Sequence, residues 1–402
     1  MNRREFLGVT SLGVLGVGLS FGNVSVSEEQ KKKGSVIYIT LGGGASHVEF
    51  FNPAPDAPSE YRSVTGNIYT NTPGLHFGSL MPNLAKMSDQ FTVVKSFTHR
   101  DFNHASATHL VQTGKYNTRT PDTQTWPSYG SVVSEQLGAV GKTGLPSYIK
   151  LNKTDHDGAA WLGLDHSGFN ASKEGLGDMI MKVSEERFLR REQMLSEIDK
   201  SGNIRDPWLK LRDQAVGVLM GDASKIFNIT KDTMYNDYKD SQFGKDLLTA
   251  RRLVQGGAAF VKVSNPGWDM HSNIESGLKS KQGEIDKYLA ILISDLENKG
   301  LNEDVLVVFT TEFGRTPKIN PQSGRDHWAK VCNLMLYGGR YNGGFIGEVD
   351  RTSSEVVSEP VTPADLCKTV LDHCGIADNA HTIDNLQRPR MFVEDTAKII
   401  GV

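Results

Sequence analysis

Short, nearly unbroken apolar runs rich in β-branched residues recur along the chain: SVIYITL (35–41), FTVVKSF (91–97), AAFVKVS (258–264), VLVVFTT (305–311) and VCNLMLY (331–337). Their length and composition predict strands buried on both faces, because a strand with one wet face alternates apolar and polar residues. Between them lie stretches with helical spacing. The clearest covers 276–299, where Leu278, Ile285, Leu289, Leu292, Ile293 and Leu296 share one face. Such strands alternating with amphipathic helices predict an α/β fold, a mostly parallel, doubly wound sheet with helices on both faces. Residues 172–256 break the alternation. They are charged, helical in pattern and free of strand signals, and predict a helical insertion within one domain spanning 28–402.

Polar clusters sit where the predicted strands stop. The first run is followed by GGGASHVEF with His47 and Glu49, the second by THRDFNHASATH with His99, Asp101, His104 and His109. The run 258–264 leads to Asp269 and His271, and 305–311 leads to Glu312, Arg315, Arg325, Asp326 and His327. In an open parallel sheet the carboxyl ends of the strands share one rim, and ligands bind in the crevice outside it. Imidazoles mixed with carboxylates are a ligand set for one or two divalent ions, among Zn, Mn, Fe and Ca. The expected metal ligands are therefore His47, Glu49, Asp269, His271, Glu312, Asp326 and His327. Arg315 and Arg325 are expected to neutralise a transferred anion beside them. Structural roles compete with several of these assignments. Glu312 can pair with Arg315 instead of a metal, His99 and Asp101 can orient the helix expected from residue 104, and His76, His156, His166, His373 and His381 are read as structural.

The N-terminus changes the picture of location. Residues 1–27 carry Arg3 and Arg4, a weakly apolar glycine-rich stretch and small residues Ser25 and Ser27. This resembles a twin-arginine export signal, which implies the export machinery as a partner and a periplasmic or extracellular destination. The apolar part is short and broken by glycines, so no stable membrane span is expected. Formal charge is −3 for the whole chain, and loss of Arg3, Arg4 and Glu5 leaves −4, which gives no basic patch for nucleic acid. Three cysteines, Cys332, Cys367 and Cys374, lack metal-ligand spacing and predict no disulfide framework.

The stretches NRREFLG, LGGGASHVEFFNPAPDAP, PGWDMHSN, TEFGRTPKI, GRDHW and VTPADLCKTVLDHCGI resemble, in the same order, the bacterial family called domain of unknown function 1501. That family is grouped with the alkaline phosphatase and sulfatase superfamily. The resemblance implies an alkaline phosphatase-like sheet with a metal site at the strand ends. It aligns Asp269 and His271 with the superfamily's mid-chain metal pair, Glu312 with a position where Asp is usual, and His327 with a late metal-binding His. The superfamily nucleophile, a Ser, Thr or modified Cys, begins a helix ending in Thr-Gly; here that helix is NHASATHLVQTG, and the position falls at Asn103 or His104. No hydroxyl or thiol stands there.

Two functions follow. One is an exported metal-dependent hydrolase of phosphate, sulfate or related esters of small molecules or glycans, with His104 as nucleophile or ligand, or a metal-bound hydroxide attacking directly. The helix dipole is expected to lower the His104 pKa and keep the ring neutral. The other is a non-catalytic envelope binding protein that keeps the fold.

Overall fold

A computed structural model describes residues 33–117, 125–141, 143–152, 156–171, 185–201 and 223–402. The expected leader and residues 172–184 and 202–222 of the expected insertion lie outside them. Eight strands form the main sheet: β1 (Ser35–Gly42), β2 (Thr92–Val94), β3 (Tyr148–Leu151), β4 (Phe169–Asn170), β5 (Phe260–Pro266), β6 (Val305–Thr310), β7 (Leu334–Tyr337) and β8 (Phe345–Ile346). Their spatial order is β8-β2-β7-β6-β1-β5-β3-β4. β1 pairs in parallel with β5 and β6, and only β7 runs antiparallel to its neighbours.

The central strand shows why the sheet is covered twice. Val36 and Tyr38 point into one core with Val132, Val133 and Val370, while Ile37, Ile39 and Leu41 point into the other with Leu247, Leu289 and Leu292. Successive strand residues face opposite sides, so an unbroken apolar run serves both cores. Among the described residues the longer helices are α1 (His104–Thr113), α2 (Tyr129–Leu137), α3 (Glu185–Ser201), α4 (Gln242–Gln255), α5 (Ile274–Asn298) and α6 (Pro363–His373). The first core holds side chains of α1, α2 and α6, the second those of α4 and α5. Local chemistry sets their ends. Asn103 caps α1 by accepting from the Ala105 and Ser106 N–H groups, and Gly114 closes it in the left-handed region at φ +70. Thr362 and Asp365 form a reciprocal capping box on α6, with Pro363 in its first turn.

Some expectations change. β3 and β4 are strands that the apolar-run criterion does not find, because each is short and carries a polar residue, Lys150 or Asn170. The run 331–337 narrows to β7 and is antiparallel. Within 172–256, α4 packs on the sheet: Leu247, Leu248, Ala250 and Leu253 are fully buried in the sheet's second core. All three cysteines are free and buried. Among the described residues no helix is long and apolar enough to cross a membrane.

Candidate metal centre

The loops at the carboxyl ends of β1, β5 and β6 meet the start of α1, and this junction gathers most of the predicted polar residues. After β1 the chain turns through Gly43 and Gly44, at φ +108 and +71. A Cβ on Gly43 would lie 2.6 Å from the Asp269 nitrogen, and one on Gly44 2.4 Å from the Phe313 ring, so glycine lets three loops close on each other. Gly43 N–H donates to Glu312 Oε1 at 2.7 Å. The short antiparallel pairing of Gly314–Arg315 with His327–Trp328 then sets His327 opposite Arg315.

Three histidines converge on Asp269, each by the same means. His104 Nδ1 donates to Glu312 Oε1 at 2.8 Å, His271 Nδ1 to Asp326 Oδ1 at 2.7 Å, and His327 Nδ1 to the Phe102 carbonyl at 2.8 Å. Carboxylates and a carbonyl only accept, so each ring carries its proton on Nδ1 and turns a lone pair at Nε2 toward the centre. The Nε2 atoms of His104, His271 and His327 lie 3.4, 3.0 and 3.4 Å from Asp269 carboxylate oxygens. His271 and His327 bring their Nε2 atoms within 3.1 Å of each other. Lone pairs packed against a carboxylate repel unless a proton or cation lies among them.

Charge in the site follows from these contacts. The Glu312 hydrogen bond raises the His104 pKa, against partial burial that lowers it. This corrects the expectation of a dipole-lowered value: a carboxylate in contact outweighs the helix terminus. For His327 burial dominates and lowers the pKa, with help from Arg315 and His104. Burial works against ionisation of Asp269, but the Arg315 guanidinium holds its pKa below the usual carboxylate range. The hydrogen bond from His271 does the same for Asp326.

The site residues inferred from sequence divide into two groups. His104, Asp269, His271, Glu312, Asp326 and His327 come together. His47, Glu49 and Arg325 do not join them. The 3-10 turn His47–Glu49 carries His47 and Glu49 into the core, where both are fully buried. Glu49 Oε1 accepts from Arg325 at 2.9 Å, and its Oε2 accepts from Ser63 Oγ at 2.7 Å and Val64 N–H at 3.1 Å. Arg325 spends its remaining donors on the carbonyls of Thr316, Pro317 and Arg62. It is a structural partner of Glu49 and not an anion clamp. His47 Nε2 donates to the Ser353 carbonyl at 2.8 Å, and burial lowers its pKa to about 3. Arg315 lies beside the cluster but is saturated: it donates to the carbonyls of Gly43, Gly44 and Arg325, to Asp269 and to His271 Nε2. It holds Asp269 in place and has no donor left for a transferred anion. Glu312 sits behind His104, fixing the ring from its far side instead of facing the centre.

The two flanking residues read as structural keep that role. His99 Nε2 donates to the Glu312 carbonyl at 2.7 Å, and Asp101 accepts from Asn103 N–H and Ser106 Oγ at the start of α1. His156, read from the sequence as structural, lines a cavity of about 420 Å³ together with His104, Asp269 and Glu312. Sequence reasoning also missed Thr40, Gln112 and Ser264 in that cavity. The only signal was spacing: His104, Thr108 and Gln112 recur at four-residue intervals, one stripe of a helix.

A family model described as "Protein of unknown function (DUF1501)" matches residues 33–401. No curated protein sequence matches the chain. Among solved structures, a sulfatase from Pseudoalteromonas sp. is similar at 15% identity, over 87% of this chain and 69% of its own, with a TM-score of 0.40. A protein in the alkaline phosphatase superfamily from Vibrio parahaemolyticus is similar at 11% identity, over 86% and 67%, with a TM-score of 0.41. A phosphonate monoester hydrolase from Silicibacter pomeroyi is similar at 11% identity, over 86% and 74%, with a TM-score of 0.38.

Proposed function

The chain belongs to the DUF1501 family, whose description names no reaction, so we propose from the site itself that it is an exported hydrolase of phosphate, sulfate or related esters working with a divalent metal ion. One observation carries the reading. His104, Asp269 and His327 each offer a ligand atom within 4.8 Å of the others, and the buried His104 Nε2 has no hydrogen-bond partner. Two imidazole nitrogens and a carboxylate oxygen, with each ring's Nδ1 anchored by an acceptor, are the donor set and the outer support of a metal centre. The residues therefore fit one ion; among the described residues no second group of three donors comes within reach.

A bound divalent ion would supply Lewis-acid polarisation of the ester oxygen. The chain's own residues do the rest. Glu312 and the Phe102 carbonyl hold the His104 and His327 rings, and Arg315 keeps Asp269 ionised and in place. His271, backed by Asp326, adds a further imidazole nitrogen 3.0 Å from Asp269. His104 serves better as ligand than as nucleophile, because its free nitrogen points at Asp269.

Elemental analysis of the purified protein, with and without a chelator, tests the metal, and p-nitrophenyl phosphate and sulfate test the ester class. Asp269→Asn and His327→Ala are expected to lower metal content and hydrolysis together in folded protein. Folded wild-type protein that takes up no metal ion would sink the reading. The non-catalytic envelope binding protein is favoured by one observation: Asn103, which with His104 is one of the two candidates for the superfamily's nucleophile position, spends its side-chain oxygen capping α1. Metal uptake without turnover of either ester selects that alternative. Export rests on residues outside the described ones, and replacing Arg3 and Arg4 with Lys should leave a longer precursor in the cytoplasm. Normal export of that variant removes the leader assignment.

A further inference from the structure

The cavity beside the metal centre is lined by two residues, Gln112 and Thr40, that each carry a buried polar atom the fold leaves without a partner. Gln112 is 3% exposed and Thr40 9% exposed, yet among the described residues neither Gln112 Oε1 nor Thr40 Oγ1 has a hydrogen bond. Thr40 on β1 is the register partner of Ser264 on β5, so the two hydroxyls stand side by side on one face of the sheet. Both line the cavity, and across from them α1 presents its stripe of His104, Thr108 and Gln112. The metal-facing Nε2 of His104 thus lies at one end of a row of hydrogen-bonding groups. A buried polar atom without a partner is costly, so two residues of one lining that each carry such an atom mark a place that a hydrogen-bonding occupant would suit.

The lining also says what does not fill it. Among the described residues around the cavity there is no lysine or arginine, whereas Asp269 and Glu312 contribute carboxylates to its lining. A second anionic group would meet repulsion there without compensation. A purely apolar group would leave Thr40 and Gln112 unpaired. The volume of about 420 Å³ falls in the roughly 300–1,000 Å³ range of small-molecule sites.

We propose that this cavity binds a neutral, hydroxyl-rich group, the alcohol half of the ester, through Thr40, Gln112 and Ser264. The assignment rests on the ester-hydrolase reading for what the group is attached to, and on the cavity alone for its chemistry. Direct binding separates the two. The probe is methyl glucopyranoside, a neutral polyol, titrated onto the full chain and followed by saturation-transfer NMR, with glycerol 1-phosphate and phenyl phosphate as the ester pair. The expected result is polyol binding at millimolar concentration, weakened at least tenfold in Thr40→Val and in Gln112→Met. KM for glycerol 1-phosphate should rise at least tenfold in the same variants, while phenyl phosphate changes less than threefold. Thr108→Val, at the half-exposed side of the stripe, serves as a second variant should either buried substitution lower the melting temperature. Polyol binding without hydrolysis of either ester keeps the subsite and removes the phosphate-ester reading. No polyol binding at tens of millimolar, or binding and KM unchanged in folded variants, overturns the subsite even where ester hydrolysis is found.

Discussion

Glu312→Gln isolates the device on which the metal reading depends. The Glu312 side chain is almost wholly buried, and its Oε1 accepts from both His104 Nδ1 and Gly43 N–H. Glutamine keeps the shape and one acceptor oxygen, and its amide can donate to Thr311 Oγ1, which sits 3.3 Å from Oε2. What disappears is the negative charge behind the imidazole. Loss of such a supporting partner lowers metal affinity about 10–100-fold, or roughly 1.4–2.7 kcal/mol. The assay is a Zn²⁺ titration against a competing chelator at pH 7.5, with a thermal melt to confirm folding. A second readout follows from protonation. Because Glu312 raises the His104 pKa, the metal-free folded protein holds that proton more tightly than the unfolded chain. Its stabilising effect is complete below the unfolded value of about 6.5 and fades as pH rises through the raised folded value. Glu312→Gln should flatten that dependence. Zinc affinity within twofold of wild type in a folded variant would falsify the role given to Glu312.

Other substitutions separate scaffold from site. Burial keeps His47 neutral down to about pH 3, so as pH falls below about 6.5 only the unfolded chain takes the proton and about 1.4 kcal/mol of stability is lost per unit; urea unfolding at pH 6.5 and 5 should show a shallower loss in His47→Gln, and parallel losses would refute it. Glu49→Gln leaves Arg325 buried without a counter-charge and should cost about 3–5 kcal/mol in urea unfolding with zinc affinity unchanged; a change confined to zinc affinity would return Glu49 to the metal centre. Gly43→Ala drives a Cβ into the Asp269 backbone and should cost on the order of 1–3 kcal/mol and weaken zinc binding together, and a variant with both properties intact would show that the loop is not packed as described.

The legible part of the candidate site is the part that follows strands directly. Asp269 and Glu312 come a few residues after β5 and β6, and His104 begins a helix with a readable cap, so strand ends and cap residues locate them. His47 and Glu49 were misplaced by the same rule, because a left-handed glycine turn and a 3-10 turn rotate them away from the rim that their position in sequence suggests. The partner that claims Glu49, Arg325, lies far along the chain, and no local pattern encodes such a pairing. Residue type misled too. Arg315 has the charge for an anion clamp, but five donors can all be absorbed by carbonyls and neighbours, and only coordinates reveal that they are.

The place of β1 in the sheet has a consequence for how the protein comes into being. Val36 is the register partner of Phe260 on one side and Leu306 on the other, so this first strand of the main sheet waits for distant parts of the chain before either edge is covered. Pairings between such distant segments form slowly, since the closing entropy of a long loop precedes any gain from contact. Until then SVIYITL is an apolar edge open to other chains, the kind of segment that seeds aggregation. Asp269 and His327 come beside His104 through the pairing of β5 and β6 with β1, so on the proposed metal reading the competence to hold a cation would depend on those long-range pairings. Uptake of the ion would then register that the long-range half of folding is complete.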